Sequence, residues 1–466
     1  MAKNLKICII GAGSAQFSLG LIKDLCLTEN LRGSHVTLMD IDEERLDMIY
    51  KLGTRYAEQL GAGLTFDKTT DRVIALVGAD FVINTGYVLG HIVEANLRDL
   101  CSRYGYYHFG GAIGPYHQFW LMLSVAKDME KICPNAWLIQ VGNPVFHGST
   151  LVTRETGIKV IGLCHGHYGY MEVASVLGLD PDKVTWEAPG LNHNIWLTKF
   201  EYEGKDAYPL IDEWIATQGE EFWRTHRAKS THDAQMSRGA CNEYRLYGLM
   251  PIGDTVRRGG WWYHTDLMTK KRWFGEPYGG PDTHIARPFF VKNLEKSVKK
   301  MIDLANDPAA NLIDAYGVTK TREQIVPILD ALTYNNVGRF QVNVPNKGGK
   351  LRGIPENVVV EVPAVIDQNG VHIQDVTPLP AKIMLNHVYP EWLEMERDIY
   401  AFKTGDQGML LWQLLSEHGT KNYDLAVSLL DELLAHPEVR AVEEFEKFRS
   451  DEYIANFFKY NKPLIG

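Results

Sequence analysis

The sequence is short of cysteine and of long hydrophobic runs. Only six cysteines occur among its 466 residues, at positions 8, 26, 101, 133, 164 and 241, and most lie in apolar surroundings. We therefore expect a protein whose cysteines are reduced and that has no disulfide framework. The longest apolar runs fall far short of the ~20 residues that a membrane-spanning helix needs. Lys3 and Lys6 lead straight into a strand without a secretory signal, so we expect a soluble, cytoplasmic protein that does not bind a membrane.

An excess of positive charge is also missing. The chain has 48 Lys and Arg residues against 58 Asp and Glu residues, a net charge of −10. A nucleic-acid-binding protein normally presents a basic face, so we do not expect a nucleic-acid partner. The negative net charge does not exclude an anionic small-molecule substrate, because the local placement of Arg and Lys decides whether such a substrate binds.

Internal repeats, low-complexity segments and a Pro/Gly/Ser-rich linker are absent as well. Strands and helices alternate in the first part of the chain. Predicted strands cover 6–11, 36–40, 81–86, 137–143 and 160–164, and predicted helices cover 17–26, 43–60 and 119–133. This alternation predicts an α/β fold, a Rossmann-like and mainly parallel sheet with helices on both faces.

The composition of the sequence changes after about residue 195. A chain of this length also usually needs more than one hydrophobic core. Residues 205–290 are rich in aromatic and charged side chains, two strands are predicted at 339–346 and 357–367, and helices at 388–402 and 422–450. We therefore predict a Rossmann domain at 1–195. A second α+β domain for substrate binding and oligomerisation is predicted at 196–466.

A glycine-containing turn joins the first strand to the first helix. It reads Gly11-Ala-Gly13-Ser14-Ala-Gln16-Phe17, with Gln16 where a third glycine is usual. The first glycine permits a tight turn, and the second lets the backbone approach a pyrophosphate at the helix N-terminus. Asp40 ends the second strand, where an acid binds ribose hydroxyls and disfavours the 2′-phosphate of NADP. We predict NAD binding; the alternative is a purely structural turn.

Two further strands end in polar residues, Asn84-Thr85-Gly86 and Asn143-Pro144. Ligands of open α/β sheets bind beyond the carboxyl ends of the strands. Asn84, Gly86 and Asn143 are therefore candidate cofactor-binding residues. An ordinary turn is the alternative for Asn143-Pro144.

A cysteine and several histidines follow the last predicted strand of this domain. Cys164 ends that strand, and His193 lies in Asn192-His193-Asn194. A thiolate and an imidazole can hold a transition-metal ion and leave positions open for substrate oxygens. Alternatively Cys164 is a small hydrophobic residue and His193 a hydrogen-bonding one. His165 and His167 are further ligands or polar residues at the edge of the site.

A polar loop, Gly253-Asp254-Thr-Val-Arg257-Arg258, lies between aromatic stretches. Asp254 is a candidate base and the two arginines are candidate anion-binding residues. A turn cap formed by Asp254, with a solvated basic pair, is the alternative.

These motifs occur in an order that resembles glycoside hydrolase family 4, the NAD- and metal-dependent glycosidases. The similarity covers Gly11 to Phe17, Asp40, Asn143-Pro144, Cys164-His165-Gly166-His167, Asn192-His193, Gly253-Asp254-Thr255 and the segments 340–348 and 358–363. Cys-His is typical of the α-glucosidase and α-glucuronidase branch. The 6-phosphoglycosidase branch has Cys-Asn, which disfavours a phosphorylated sugar.

The resemblance implies a redox-assisted elimination, an exception to the two-carboxylate rule of glycosidases. NAD takes a hydride from C3 of the sugar, a metal ion, Mn²⁺ by expectation, polarises the ketone, and a base removes the C2 proton before the leaving group departs. By match to the family, Cys164 and His193 hold the metal, Asp254 is the base, and Asn143 and His165 contact the sugar. The family also implies a homodimer or homotetramer.

One loop departs from the family pattern. Gly111 stands where many members have an aspartate, and His108, Tyr116 or His117 are candidates to assist the leaving group instead. The histidines, including His167, and Arg257 suit a glycone with an anionic C6 group, either a uronate or the sulfonated sugar of the related NAD-dependent sulfoquinovosidases; a glucose-like glycone stays open.

Two rival functions remain. An NAD-dependent 2-hydroxyacid dehydrogenase would share the lactate dehydrogenase-like architecture, but its catalytic His–Asp pair and substrate arginine cannot be placed. A non-catalytic NAD-binding sensor is the other.

Overall fold

A computed structural model describes residues 4–15, 17–107, 115–228, 230, 235–417 and 422–441. The chain forms two compact units, each built from three segments. The first unit comprises Met1–Tyr87, Leu121–Cys164 and Lys292–Asp375, and the second comprises Val88–Trp120, His165–Val291 and Val376–Gly466. None of the described helices is long and apolar enough to cross a membrane.

The strands and helices have the following bounds. The strands are β1 (Lys6–Ile10), β2 (His35–Met39), β3 (Thr65–Thr69), β4 (Phe81–Asn84), β5 (Trp137–Gln140), β6 (Lys159–Gly162), β7 (Val184–Glu187), β8 (Gly190–Leu191), β9 (Asn194–Leu197), β10 (Lys199–Tyr202), β11 (Lys205–Asp206), β12 (Met250–Ile252), β13 (Gly338–Pro345), β14 (Val359–Asp367) and β15 (Gly370–Ile373). The α-helices are α1 (Ser18–Cys26), α2 (Glu43–Leu60), α3 (Arg72–Leu76), α4 (Gly90–Arg103), α5 (Tyr116–Ile132), α6 (Val145–Glu155), α7 (Gly169–Val176), α8 (Tyr208–Thr217), α9 (Gly219–Thr225), α10 (Arg238–Tyr247), α11 (Leu267–Phe274), α12 (Ala286–Asn306), α13 (Leu312–Tyr316), α14 (Ile325–Tyr334), α15 (Ala381–Ile383), α16 (Tyr389–Thr404), α17 (Gln407–Ser416), α18 (Tyr423–Ala435) and α19 (Pro437–Arg440). Short 3₁₀ helices cover Glu29–Leu31, Gly166–Tyr168, Pro181–Lys183, Gly253–Arg257 and Trp261–Tyr263, and a π-helix covers Met384–Val388.

The first unit is built on a mainly parallel sheet. Its parallel strands run in the order β3-β2-β1-β4-β5-β6. β13 pairs antiparallel with β6, β14 with β13, and β15 with β14. The central strands β1 and β4 are mostly apolar and buried, because helices cover both faces of such a sheet. The predicted Rossmann-like α/β fold is thereby confirmed.

The core of the first unit joins the sheet to its helices. It is formed by buried side chains from β1, β4, β5 and β6 and from α3, α5 and α6, among them Cys8, Ile10, Leu76, Val82, Met122, Val125, Met129, Leu138, Val152 and Val160. α2 begins at an N-cap, where the side chain of Asp42 accepts a hydrogen bond from the Arg45 amide, and ends at Gly61 in the left-handed conformation.

The second unit contains two small antiparallel groups of strands. β7 pairs with β10 and β10 with β11, while β8 pairs with β9 and β9 with β12. Ile195 on β9 lies opposite Ile252 on β12, and both are buried in a core with residues such as Val173, Phe200, Ile211, Trp214, Cys241 and Met250. Burial of this apolar pair fixes the register and sets the residues that precede β9 beside those that follow β12.

The two units differ from the division predicted at residue 195. The strands predicted at 339–346 and 357–367 were assigned to a second domain, but the structure places β13 and β14 in the sheet of the first unit. Their alternating pattern identifies a strand but leaves its partner strand open, so the sequence alone does not indicate that they pair with this sheet. The helix predicted at 422–450 is divided at Pro437 into α18 and α19, and residues after 441 lie outside the described part.

Candidate active site

The glycine turn of the first unit is tightly packed. The amides of Gly11 and Ala12 both donate to the Met39 carbonyl, at 3.0 Å each. Gly11 has a φ of +80°, and a Cβ there would lie 2.5 Å from the Gly86 nitrogen. Only glycine therefore fits at position 11. The Thr85 hydroxyl donates to the Ile10 carbonyl at 3.0 Å, which ties the turn to the end of β4.

Asp40 lies at the carboxyl end of β2, beside that turn. Its Oδ2 accepts from the Gly13 amide at 2.7 Å and its Oδ1 from the Asp42 amide at 2.9 Å. A Cβ at Gly13 would lie 2.9 Å from Oδ2, so the second glycine permits this close approach. Ser14 accepts from the Phe17 amide through its hydroxyl, at 3.4 Å, just before α1 begins. The arrangement fits an adenosine ribose at Asp40 and a pyrophosphate at the turn. Gln16 lies outside the described residues.

The other predicted strand-end residues have unequal environments. Asn84 is fully buried; its amide donates to the Gln140 side chain at 3.0 Å and its oxygen accepts from the Gly86 amide at 3.1 Å. It therefore shapes the end of β4, and its contact with a cofactor stays a prediction. Asn143 is exposed after β5, and Pro144 directly precedes α6. Cys164 is half-buried just after β6, at the same edge of the sheet.

His193 lies in the connection between β8 and β9. Because Leu191 pairs with Asn194, Asn192 and His193 form a two-residue connection. His193 has a φ of +68°, which is uncommon for a residue with a side chain. Its Nε2 lies 3.2 Å from Oδ2 of Asp254. The structure thus brings a candidate metal ligand to the candidate base, which the sequence named separately.

Asp254 lies in the 3₁₀ helix that directly follows β12. The Gln235 side chain holds this helix through Gly253, accepting from its amide at 2.7 Å and donating to its carbonyl at 3.1 Å. Gly253 has a φ of +62°, and a Cβ there would lie 2.5 Å from the Gly166 Cα. The Thr255 hydroxyl accepts from the Ile195 amide at 2.8 Å. The backbone on both sides of Asp254 is therefore fixed.

Arg257 is not the solvated cation that one interpretation predicted. Its guanidinium pairs with Asp254 and with Asp282, and its side chain is only 11% exposed. Asp282 also pairs with Arg98, at 3.5 Å. Two carboxylates thus balance Arg257, which weakens the argument for an anion clamp formed by this residue alone.

A cationic side chain that the sequence did not single out lies near Arg257. Lys270 on α11 is buried and donates to the Tyr107 carbonyl at 2.8 Å. No carboxylate of the described residues forms an ion pair with it. Burial, and then the nearby Arg257 and Arg98 charges, hold the pKa of Lys270 well below its usual value. An anion placed next to Lys270 would raise this pKa and favour the charged ammonium form.

Glu94 forms ion pairs with two arginines of this region. It pairs with Arg98 at 2.8 Å and also with Arg287. Burial by itself raises the pKa of Glu94, but Arg98, a hydrogen bond with His91 and Arg287 together lower it well below the ordinary value. Glu94 is therefore a structural counter-ion.

Arg258 pairs with a different buried carboxylate. Its guanidinium lies 2.7 Å from Oε1 of Glu391, in the first turn of α16. Oε2 of Glu391 accepts from the Asn194 amide group at 2.8 Å. Burial, partly offset by Arg258, raises the pKa of Glu391 to about 7. No local sequence motif identifies Glu391, because its partners are distant in the chain.

The remaining predicted histidines differ in exposure. His117 is buried, and its ring nitrogen lies 3.4 Å from the Val439 carbonyl. His167 is buried and stacks on Trp186, with ring centroids 5.6 Å apart. His165 is exposed. His108 and Gly111 lie outside the described residues. Substrate contacts of His117 and His167 stay predictions, but both rings are packed in the second unit.

Two sequence profiles match most of the chain. Residues 6–179 match "Family 4 glycosyl hydrolase", and residues 188–418 match "Family 4 glycosyl hydrolase C-terminal domain". The chain belongs to glycosyl hydrolase family 4. It is therefore a glycoside hydrolase, as the order of its motifs predicted.

Similar proteins differ in the sugars for which they are named. An alpha-galactosidase of Bacillus subtilis is 27% identical over 380 residues, covering 78% of this chain and 82% of the relative. An alpha-glucosidase of Erwinia rhapontici is 27% identical over 473 residues, covering 93% and 98%. A 6-phospho-alpha-glucosidase from gut microorganisms, solved in complex with NAD and Mn²⁺, has a TM-score of 0.74 at 18% identity over 93% of this chain and 98% of that one.

Proposed function

We propose that this family 4 enzyme is an α-glycosidase that uses NAD as a regenerated redox cofactor together with a divalent metal ion, Mn²⁺ by preference. The contact between His193 and Asp254 carries the proposal, because it sets a candidate metal ligand beside a candidate base at the ends of paired strands. The gut 6-phospho-alpha-glucosidase of the same fold was solved with both cofactors, which supports the same pair here.

The residues of the first unit fit NAD. The contact between Gly11 and Gly86 and the small size of Gly13 leave backbone open to a pyrophosphate. Asp40 lies where an acid binds the ribose hydroxyls. Gly11, Gly13, Ser14 and Asp40 would hold the dinucleotide.

The donor set also fits a divalent metal ion. Among the described residues, no group of three or more His, Cys, Asp or Glu side chains could hold a metal by itself. Cys164 and His193 would be the two protein ligands, which leaves positions open for oxygen ligands, which Mn²⁺ prefers. When bound, NAD supplies a hydride acceptor for C3 and the metal supplies a Lewis acid that makes the C2 proton acidic.

Asp254 is the group that would take the C2 proton. Arg257 orients its carboxylate through the ion pair, and the Gln235–Gly253 bonds fix its backbone. General base catalysis contributes about 10²–10⁴-fold to a rate. Departure of the leaving group from C1 then completes the elimination, and water adds back before C3 is reduced again.

We further propose a glycone with an anionic C6 group, a uronate or a sulfonated sugar such as sulfoquinovose, in preference to a neutral glucose-like one. The buried Lys270, which has no carboxylate partner among the described residues, supports this choice because a ligand anion would balance its charge. Arg257 supports it less, since Asp254 and Asp282 already balance that side chain.

The experiment is a panel of nitrophenyl α-glycosides in heavy water, with and without NAD and Mn²⁺. The panel contains the glucoside, galactoside, glucuronide, galacturonide and sulfoquinovoside. Cleavage that requires NAD, with deuterium at C2, is expected, and fastest on an anionic glycone. Net NADH formation without cleavage would instead indicate a dehydrogenase.

Asp254→Asn and Asp303→Asn form a matched pair for this panel. The first removes the candidate base, and kcat should fall by about 10²-fold or more. The second makes the same change at an exposed position of α12, and activity should be unchanged. Full activity of Asp254→Asn with NAD and Mn²⁺ would refute the assignment of the base.

A further inference from the structure

A single buried carboxylate joins the two loops that hold His193 and Asp254. Glu391 is only 4% exposed, and its two oxygens have different partners. Oε2 accepts from Nδ2 of Asn194 at 2.8 Å, and Oε1 pairs with Nη1 of Arg258 at 2.7 Å. Each partner belongs to a different loop, so Glu391 bridges them.

The first partner controls the backbone next to His193. Asn194 directly follows His193 and is the first residue of β9. Its side-chain oxygen accepts from Nε1 of Trp196 at 2.9 Å, so both ends of the amide are used. A fixed Asn194 thereby holds the backbone next to His193, whose φ of +68° is uncommon for a residue with a side chain.

The second partner controls the helix that contains Asp254. Arg258 directly follows the 3₁₀ helix Gly253–Arg257. Burial lowers the pKa of Arg258, but Glu391, Glu394 and Asp254 together raise it. Arg258 therefore stays charged, and its ion pair with Glu391 is fully formed above the pKa of about 7 of that carboxyl group.

A carboxylate is better suited to this position than a neutral side chain. It accepts two hydrogen bonds from opposite directions, whereas a glutamine would turn its NH2 donor toward one of the two donors, Asn194 or Arg258. The ionisable groups that act on Glu391 are Arg258 and Glu394. Removal of one partner from a buried pair leaves the other charge uncompensated.

We propose that Glu391 is a positioning residue that fixes the separation of His193 and Asp254, and thereby sets metal affinity and proton abstraction together. The inference rests on the proposed function, since it takes His193 as a metal ligand and Asp254 as the base. Replacing a residue that orients a metal ligand, without binding the metal itself, typically weakens metal affinity by about 10–100-fold. The same range is expected here.

The test compares Glu391→Gln with Glu243→Gln in the full-length enzyme. Glu243 is also buried in the second unit and lies 3.3 Å from His387, so it controls for the loss of any buried carboxylate. Mn²⁺ affinity is measured by the electron paramagnetic resonance signal of free Mn²⁺, and NADH affinity by fluorescence. Glu391→Gln should weaken Mn²⁺ binding by about 10–100-fold and lower kcat more than it raises KM. NADH affinity should stay unchanged, and Glu243→Gln should bind Mn²⁺ normally.

Equal Mn²⁺ affinity in Glu391→Gln and wild type, or equal losses in both variants, would overturn the proposal. Should Glu391→Gln fail to fold, Asn194→Ala removes one arm of the bridge and keeps the Arg258 pair; unchanged Mn²⁺ affinity in that variant would also overturn it. Wild-type enzyme that neither binds Mn²⁺ nor needs NAD would refute the proposed function instead, so the two failures are distinguishable.

Discussion

Replacing Gly253 with alanine tests whether the position of Asp254 depends on the contact of its loop with Gly166. Gly253 has a φ of +62°, and the added Cβ would lie 2.5 Å from the Gly166 Cα. Left-handed backbone costs an alanine about 1–2 kcal/mol. Ordinary contact begins near 3.4 Å, so one of the two loops must move by about 1 Å.

The consequence for catalysis follows from that displacement. A misplacement of about 1 Å can lower a rate by about 10²-fold, which corresponds to about 2.7 kcal/mol of transition-state stabilisation. We therefore expect kcat/KM for the best nitrophenyl glycoside to fall by about 100-fold in Gly253→Ala. NADH affinity, measured by fluorescence, should stay unchanged, because the glycine turn at Gly11 belongs to the first unit.

Gly248→Ala is the matched control. Gly248 also has a left-handed backbone, with a φ of +85°, but no atom lies within 4 Å of the added Cβ. Gly248→Ala should lose about 1–2 kcal/mol of unfolding free energy in denaturant titrations. Gly253→Ala should lose more than that because of its clash with Gly166, and only Gly253→Ala should lose activity. Activity of Gly253→Ala equal to that of Gly248→Ala would refute the reasoning.

Three other substitutions give distinct expected results. Asp40→Asn removes a charged acceptor at the candidate ribose site and should weaken NADH binding by about tenfold or more; an unchanged dissociation constant would contradict this role. Cys164→Ser should weaken Mn²⁺ binding at least about tenfold, whereas Cys241→Ser, in the core of the second unit, should not; equal losses would rule out a ligand role. Burial raises the pKa of Glu391 from 4.5 to about 7, so between these values the folded chain keeps a proton that the unfolded chain has lost, and stability falls as pH rises. Glu391→Gln removes this contribution, so the stability difference between wild type and variant should change by about 2 kcal/mol between about pH 5 and pH 7.5. A constant difference would show that the pKa of Glu391 is not raised.

The parts of the site that depend on contiguous residues were predictable from the sequence. The turn at Gly11 and the acid at Asp40 follow directly from strand, turn and strand end. The close approach of Gly11 to Gly86 is a tertiary contact that the sequence did not indicate, because a glycine at the first position of such a turn predicts only the tight turn itself.

The parts that depend on strand pairing were not predictable. His193 and Asp254 were named separately, because only the register of β9 with β12 brings them together. Glu391 could not be recognised from the sequence, because its partner Asn194 is distant in the chain. Its other partner, Arg258, could equally have been solvated. Lys270 could not be recognised either, because burial of a lysine depends on what packs around it.

The sheet of the first unit has a consequence for the order in which the protein can fold during synthesis. Residue Gly162 of β6 pairs with Asn343 of β13, and the ribosome makes the intervening chain at roughly 5–20 residues per second, a delay of roughly 10–40 s. Throughout that interval the apolar strand β6 is an open sheet edge, which favours pairing with other chains. Nascent chains should therefore be prone to aggregation or dependent on chaperones until β13 emerges, and a fragment ending near residue 195 would keep that edge open permanently.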